Sequence, residues 1–399
     1  MDKPISPFTK EQLLPKEETI DLLKENKSLF IGIPKENSFI EKRVCLTPDA
    51  VSALTSNGHR VIIESGAGNN ANFNDHEYSE SGAEITNDRS KVFSCPIVLK
   101  VEPPSLDEID LLNTNALLIS AVQIKMQHKN YFLKLSKKRI TALGFEFIKD
   151  QDGSFPAVRQ LSEIAGSASI LIASEIMSIT NEGNGLLLGN ITGVPPCEVV
   201  ILGAGTVGEF AARSALGLGA NIRVFDSSIT KLRNLQSSLG QMIYTSTMQP
   251  KNLQKALMRC DVAIGAAKGV TRAPILVDET TVEQMKAGAV IIDVSIDMGG
   301  CFETSELTSH DKPTFVKHDV IHYCVPNITS RYARTSSVSI SNIFTPYLLK
   351  IAEDGGIENA LRFDKGLKNG LYFYHGVLTN KTIANWFDLD CTDSNLLIF

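Results

Sequence analysis

The sequence predicts an α/β protein built on mostly parallel sheets. Three observations carry the prediction. Short apolar runs of strand length alternate with helical stretches through most of the chain. One of these runs passes through a glycine-rich turn directly into a helix. At 399 residues, 43% of them apolar, the chain is long enough for two or three domains with buried cores.

The elements follow in order from Leu29. LFIGIP (29–34) reads as a strand. Thr47-Pro48-Asp49 then opens a helix, because a Thr hydroxyl caps free N–H groups and Pro is tolerated at the first helical position. RVIIES (60–65) is the next strand, ended by Gly66-Ala67-Gly68. PIVLKV (96–101), ALLISAV (116–122) and ITALGFEF (140–147) continue the alternation. A long helical pattern covers 160–177, and the Gly-rich stretch 181–196 separates it from a second αβ unit. That unit contains EVVILG (198–203), NIRVFD (221–226), VAIGAA (262–267) and AVIIDVSI (289–296). Another helix is predicted over 338–356. Residues 1–28 form a polar, charge-rich extension, either a short amphipathic helix or a loosely held arm.

Composition narrows the function. A formal charge of −6 argues against a dedicated nucleic-acid binder, which carries a basic excess. No apolar run approaches the ~20 residues that cross a bilayer. The seven Cys are scattered, with no C-x-x-C pair, and read as reduced thiols of a cytoplasmic protein. No His/Cys/Asp/Glu spacing suits a metal, and no G-x-S-x-G or P-loop pattern is present.

The segment CEVVILGAGTVGEFAARSALGLGANIRVFDSS is the most informative. Gly203-Ala204-Gly205-Thr206-Val207-Gly208 fits G-x-G-x-x-G between a strand and a helix, and a second strand ends in Asp226. In a Rossmann-type unit the first glycine permits the tight turn and the second lets the backbone approach a pyrophosphate. The third lets helix and strand pack closely, and the helix N-terminus stabilises the phosphate charge. Asp226 is placed to accept hydrogen bonds from a ribose and to repel a 2′-phosphate, so the cofactor is predicted to be NAD. Nearby Arg223 and Lys231 partly offset that repulsion.

With these residues in view, the chain resembles the alanine dehydrogenase family, whose relatives include the soluble NAD-binding subunit of proton-translocating transhydrogenase. The resemblance spans about residues 29–390. It rests on IGIPKENSFIEKRVCLTPDAV, GHRVIIESGAG (58–68), LSEIAG (161–166), NITGVPP (190–196), IIDVSIDMGGCFE (291–303) and HYCVPNI (322–328). VRQLSEIAG and Cys-Val-x-Asn at 324–327 resemble the dehydrogenase branch more than the transhydrogenase branch. The resemblance implies two Rossmann-like domains joined by long helices. A discontinuous substrate domain would comprise 29–160 plus 355–399, the linking helices 161–182 and 336–354, and the NAD-binding domain 183–335. It also implies a small-molecule substrate bound between the domains and a homo-oligomer, often a hexamer. No nucleic-acid or membrane partner is expected.

The resemblance further assigns roles. Arg43 corresponds to the Arg that grips the substrate carboxylate. Asp297 corresponds to an Asp near nicotinamide and substrate, with an Asx turn before Gly299-Gly300 as its competing reading. Ser162, Lys231 and Asn327 join Gly203, Gly205, Thr206, Val207, Gly208 and Asp226 on the cofactor side. Two positions depart from the family. Its substrate Lys becomes Glu102, with Lys100 retained one pleat earlier on the same strand face, where it either substitutes or pairs with Glu102. Its acid/base His becomes Gln123, which hydrogen-bonds but does not titrate. Of the remaining histidines, His128 reads as a solvated helix residue and His322 as the candidate nearest the cofactor-side motif. Without a base, oxidation of alanine is expected to be weak, because a missing general base costs roughly 10²–10⁴-fold. A divergent imine or 2-oxo-acid reductase and an NAD-binding protein without turnover are the alternatives.

Overall fold

The computed structural model describes residues 27–36, 41–181, 183–269 and 272–398. Most of the predicted 1–28 extension therefore lies outside the described residues. Among the described residues, fifteen strands form two sheets. In chain order they are β1 (Phe30–Ile33), β2 (Arg60–Glu64), β3 (Glu84–Thr86), β4 (Ile97–Leu99), β5 (Leu117–Ser120), β6 (Thr141–Gly144), β7 (Glu198–Leu202) and β8 (Asn221–Phe225). Then come β9 (Tyr244–Ser246), β10 (Val262–Gly265), β11 (Val290–Asp293), β12 (Thr314–Lys317), β13 (Val320–Tyr323), β14 (Leu371–Tyr374) and β15 (Val377–Leu378).

The first sheet has the order β15-β14-β6-β5-β4-β1-β2-β3, the second β12-β13-β11-β10-β7-β8-β9. Pairing is parallel except at β14, which runs antiparallel to β6 and β15, and at β12, antiparallel to β13. The central strands are buried on both faces and therefore read as continuous apolar runs: IGI of β1, LLIS of β5, VVIL of β7 and VIID of β11 show no exposed position.

Two helices of 21 residues, Pro156–Ile176 and Ala333–Glu353, run between the sheets. Each is about 30 Å long. The first starts four residues before the periodic pattern, because Pro156 sits in the first turn, where its fixed φ suits a helix and its missing N–H costs nothing. Its buried Ala165, Ala168, Ile172, Ala173 and Ile176 join the core of the second sheet, while Phe344, Leu348 and Ile351 of the other helix join the core of the first.

Strand order positions the site. In the first sheet β1 lies between β2 and β4, so the crossovers leaving β1 and β4 lie on opposite sides of that pair. In the second, β7 lies between β8 and β10. Such switch points leave a crevice at the carboxyl ends of the strands. The segments carrying Glu36, Glu41 and Arg43 follow β1, and Lys100 and Glu102 follow β4. The glycine turn 203–208 follows β7.

Candidate active site

Arg43 is buried, and its guanidinium is held on three sides. Nε and Nη2 donate to the two oxygens of Glu41 at 2.6 and 2.5 Å, and Nη1 donates to Thr329 Oγ1 at 2.9 Å. Three of its five N–H donors are thus used and two remain for a ligand. The Glu41 carboxylate is held below the ordinary carboxylate range, against the opposing pull of burial, by the Arg43 charge and its hydrogen bonds. Asn327 donates to the same Glu41 oxygen at 2.9 Å and accepts from Thr329 at 3.1 Å. Its backbone, in the left-handed region at φ 53°, donates to Asp297 Oδ1 at 3.3 Å. A chain of contacts therefore crosses from the β1 side of the first sheet to the β11 and β13 side of the second.

Asp297 does not lie in a strand. β11 stops at Asp293, and Val294–Met298 form a 3-10 turn. Asp297 opens to solvent, yet desolvation still raises its carboxyl, opposed by the Asn327 N–H and the Arg43 charge. Asp293 is structural: its buried carboxylate accepts from the amides of Ser295 and Cys301 and from the Ser305 hydroxyl.

Lys100 does not pair with Glu102. Its buried ammonium lies 3.2 Å from Glu36 and 3.2 Å from Glu108. β4 ends at Leu99, so the pleat that would align Lys100 with Glu102 ends before either residue. The two line a cleft of about 700 Å³ together with Lys35, Glu36, Arg89 and Glu108. Glu36 also accepts from the Val101 amide at 2.6 Å, and burial raises its carboxyl to about 7. Glu102 is half-buried and close enough to Glu36, Glu41, Lys100 and Arg43 for their charges to act on it.

Gln123 sits past the end of β5 with an exposed side chain and a left-handed backbone, φ 49°. Its amide and that of Val122 donate to the buried Glu146. His322 is not a cleft residue. It is fully buried in β13, bonded to Thr304 at 2.8 Å and stacked on Phe315, and burial lowers it to about 4. The sequence pattern leaves β13 unassigned, which is why nearness to Asn327 in sequence misleads. His128 precedes the helix Lys129–Lys137 as its exposed N-cap.

The glycine turn separates three roles. Gly203 has φ 117°, and a Cβ there would lie 2.5 Å from the Ala266 carbonyl oxygen. A Cβ at Gly208 would strike the Gly203 carbonyl. Both glycines are required by the protein itself. At Gly205 the φ is −83° and nothing lies within 4 Å of an added Cβ. Gly205 is also the N-cap of the helix Thr206–Leu218, with no side chain on its free N–H groups. An empty space over unsatisfied amides at a positive helix end fits a phosphate.

The supporting residues around this turn are already engaged. Asp226 is buried and accepts from the Ala204 amide and the Ser228 amide, both at 2.8 Å. It therefore pins the turn. Ser162 Oγ bonds back to Val158 in its own helix at 2.7 Å. Lys231 is exposed on the helix Ile229–Leu239, its amide capped by Ser228. Val207 presents its carbonyl to Gly166 of the first long helix. Among the described residues no group of three or more His, Cys, Asp or Glu is placed to hold a metal.

Comparison with known proteins accounts for this arrangement. The N-terminal domain of the family described as alanine dehydrogenase/PNT matches residues 32–165, and its C-terminal domain matches 169–381. Alanine dehydrogenase 2 of Staphylococcus aureus (strain USA300) is 37% identical over 90% of this chain and 97% of its own. The chain belongs to the alanine dehydrogenase/PNT family. Alanine dehydrogenase of Mycolicibacterium smegmatis is 38% identical over 92% of this chain and 99% of its own. A solved L-alanine dehydrogenase superposes with a TM-score of 0.84 at 34% identity, covering 90% of this chain and 99% of that one. A transhydrogenase from Sinorhizobium meliloti shares the fold, with a TM-score of 0.76 at 21% identity.

The protein is thus an oxidoreductase of the alanine dehydrogenase type. The sequence singles out Arg43 but not Glu41 and Thr329, which hold it, nor Glu36, which pairs with Lys100. Glu41-x-Arg43 was the available signal, since i and i+2 share a face in extended chain. Thr329 carried no signal, because it reaches Arg43 from 286 residues away.

Proposed function

We propose that this protein is an NAD-dependent dehydrogenase that interconverts L-alanine with pyruvate and ammonia. The observation that carries the reading is Gly205: its side-chain space is empty, above uncapped helix amides, at the switch point of the second sheet. Alanine is the substrate in the names of its relatives.

When bound, the dinucleotide supplies a nicotinamide carbon that accepts or returns a hydride. The chain's own residues do the rest. The turn amides at Gly205 and Thr206 hold the pyrophosphate, and Asp226 favours a free ribose over a 2′-phosphate. The two free N–H groups of Arg43 hold the substrate carboxylate, with Glu41, Thr329 and Asn327 fixing the guanidinium plane. The contacts among Arg43, Asn327 and Asp297 bring both sheets to one substrate, which orients Cα toward the cofactor side. Gln123 donates or accepts a hydrogen bond but takes no proton, so the proton has to go elsewhere in the cleft.

We further infer a cytoplasmic homo-oligomer. The seven free thiols, six of them buried, suit a reducing compartment. No helix among the described residues is long and apolar enough to cross a membrane. Leu187, Ile191 and Val194 are each at least half exposed, which favours burial against further copies of the chain.

The deciding experiment follows NADH absorbance with a panel of L-amino acids plus NAD, and of 2-oxo acids with ammonium plus NADH. L-alanine and pyruvate are expected to give the fastest rates. A faster amino acid would replace the substrate assignment. Tight NADH binding with no turnover on any member would replace the enzyme reading by a binding role.

A further inference from the structure

Among the described residues, the charged groups in and around the cleft pair with one another, except the exposed Lys35 ammonium and the Glu102 carboxylate. Arg43 is clasped by Glu41, and Glu41 also takes the Asn327 carboxamide. Lys100 bridges Glu36 and Glu108, and Arg89 joins Glu64 to Glu108. Glu102 alone among these carboxylates makes no hydrogen bond or ion pair with the described residues, although it lines the cleft with Lys100, Glu36 and Glu108. It follows β4 at the first switch point, and its charge acts directly on the Arg43 guanidinium. A carboxylate without a partner among the described residues thus stands within electrostatic reach of Arg43, the group proposed above to hold the substrate. At the other candidate position, Gln123, the protein has placed a side chain that cannot titrate.

We propose that Glu102 is the catalytic acid/base of this site, replacing in function the titrating group that Gln123 cannot supply. This rests on the dehydrogenase reading above. In the oxidative direction the Glu102 carboxylate takes one proton from the substrate ammonium. The Cα–H bond breaks, and its hydrogen leaves with both electrons as hydride to the cofactor while the nitrogen lone pair closes the C=N bond. Water adds to that carbon and releases one proton to solvent. The amino nitrogen then takes back the proton held by Glu102 and leaves with the C–N electron pair. It carries off the hydroxyl proton as ammonium, and the carbonyl forms.

The surroundings suit this role. Desolvation, then the charges of Glu41 and Glu36, raise the Glu102 carboxyl to about 7, opposed by Lys100 and Arg43. Lys35, Arg89 and Glu108 complete the charged lining. A base poised near the working pH can both accept and return a proton.

The test compares the unmodified protein with Glu102→Gln and Glu102→Asp in alanine oxidation from pH 6 to 10, alongside NADH affinity by fluorescence. The unmodified kcat/KM is expected to rise through an apparent pKa near 7. Glu102→Gln should lower kcat by about 10²–10⁴-fold and abolish that rise, with NADH affinity unchanged. Glu102→Asp, with its carboxylate withdrawn by one methylene, should keep the rise at a rate at least about tenfold lower. If Glu102→Gln does not fold, Glu102→Asp decides, and an undiminished rate in it overturns the proposal. A Glu102→Gln protein that keeps both rate and pH rise also overturns it, as does one that loses NADH binding in parallel. An unmodified protein inert toward the whole substrate panel overturns the dehydrogenase reading and this assignment with it. An active one insensitive to Glu102 overturns this assignment alone.

Discussion

At the scale of single residues, the clearest division of labour lies among the three glycines of the turn. Gly203 and Gly208 answer to the protein's own backbone, and Gly205 answers to nothing in the protein. Gly205→Val is therefore expected to fold normally, since its φ of −83° is open to valine and its Cβ meets no atom. It should lose NADH binding by at least about tenfold, because the isopropyl group would occupy the pyrophosphate's approach. Fluorescence titration together with a thermal melt separates the two effects, and a folded variant with unchanged NADH affinity would remove the turn from the cofactor site. Arg43 teaches a related lesson. The residue type predicted an anion grip, but the sequence did not show that a buried glutamate already holds one edge of it.

At the scale of elements, the long helix Pro156–Ile176 and the helix Thr206–Leu218 meet backbone to backbone. An added Cβ at Gly166 would strike the Val207 carbonyl and stand 2.9 Å from the Phe210 Cβ. Gly166→Ala must push the two helices apart, and overpacking of this kind costs about 1–3 kcal/mol. Gly217 lies in the second helix with open space around it. Gly217→Ala should be stabilising by up to about 1 kcal/mol, through the lower entropy of the unfolded chain. Urea denaturation of the pair provides the check, and equal effects at the two sites would refute the close helix contact. Because the phosphate turn begins the displaced helix, Gly166→Ala should also weaken NADH binding, whereas Gly217→Ala should not. The 160–177 pattern disclosed the helix by its periodicity, but nothing in it told which glycine carries the contact.

At the scale of the whole molecule, the two sheets put four separate stretches of chain around one cleft. Glu36 and Glu41–Arg43 follow β1, Lys100 to Glu108 follow β4, Asp293 to Asp297 end β11, and Asn327 to Thr329 follow β13. The exposed apolar side chains of 186–194 stand away from these residues in sequence, on a stretch whose Gly189 and Asn190 approach the end of the helix Thr206–Leu218. Light scattering on the purified protein is expected to give a mass several times that of one chain. Leu187→Asp should reduce that mass, since a carboxylate buried in an apolar contact is costly. A monomer in the unmodified protein would end the oligomer reading.

What the sequence determined by itself was set by local physics. Apolar runs of strand length alternating with helical periodicity dictated parallel sheets covered by helices, and the fold is of that class. Thr47 before Pro48 marked a helix start, and the structure has Thr47 as its N-cap, accepting from Ala50. The G-x-G-x-x-G spacing placed a turn between β7 and a helix, because each glycine answers a short-range constraint. The short strands β3, β9, β12, β13, β14 and β15 were not read from the sequence, since two to four residues carry little pattern. Only the tertiary structure decided which charges meet. Lys100 turned to Glu36 and Glu108, His322 went into a β-sheet core, and Thr329, 286 residues away, joined the neighbouring Glu41 on Arg43. Partner choice in a cleft depends on contacts across tens to hundreds of residues, and no periodicity within a single segment encodes them. Glu102 shows the limit plainly: the sequence marked it as a departure, and only the pairing of Arg43, Lys100 and Arg89 with other carboxylates left it free.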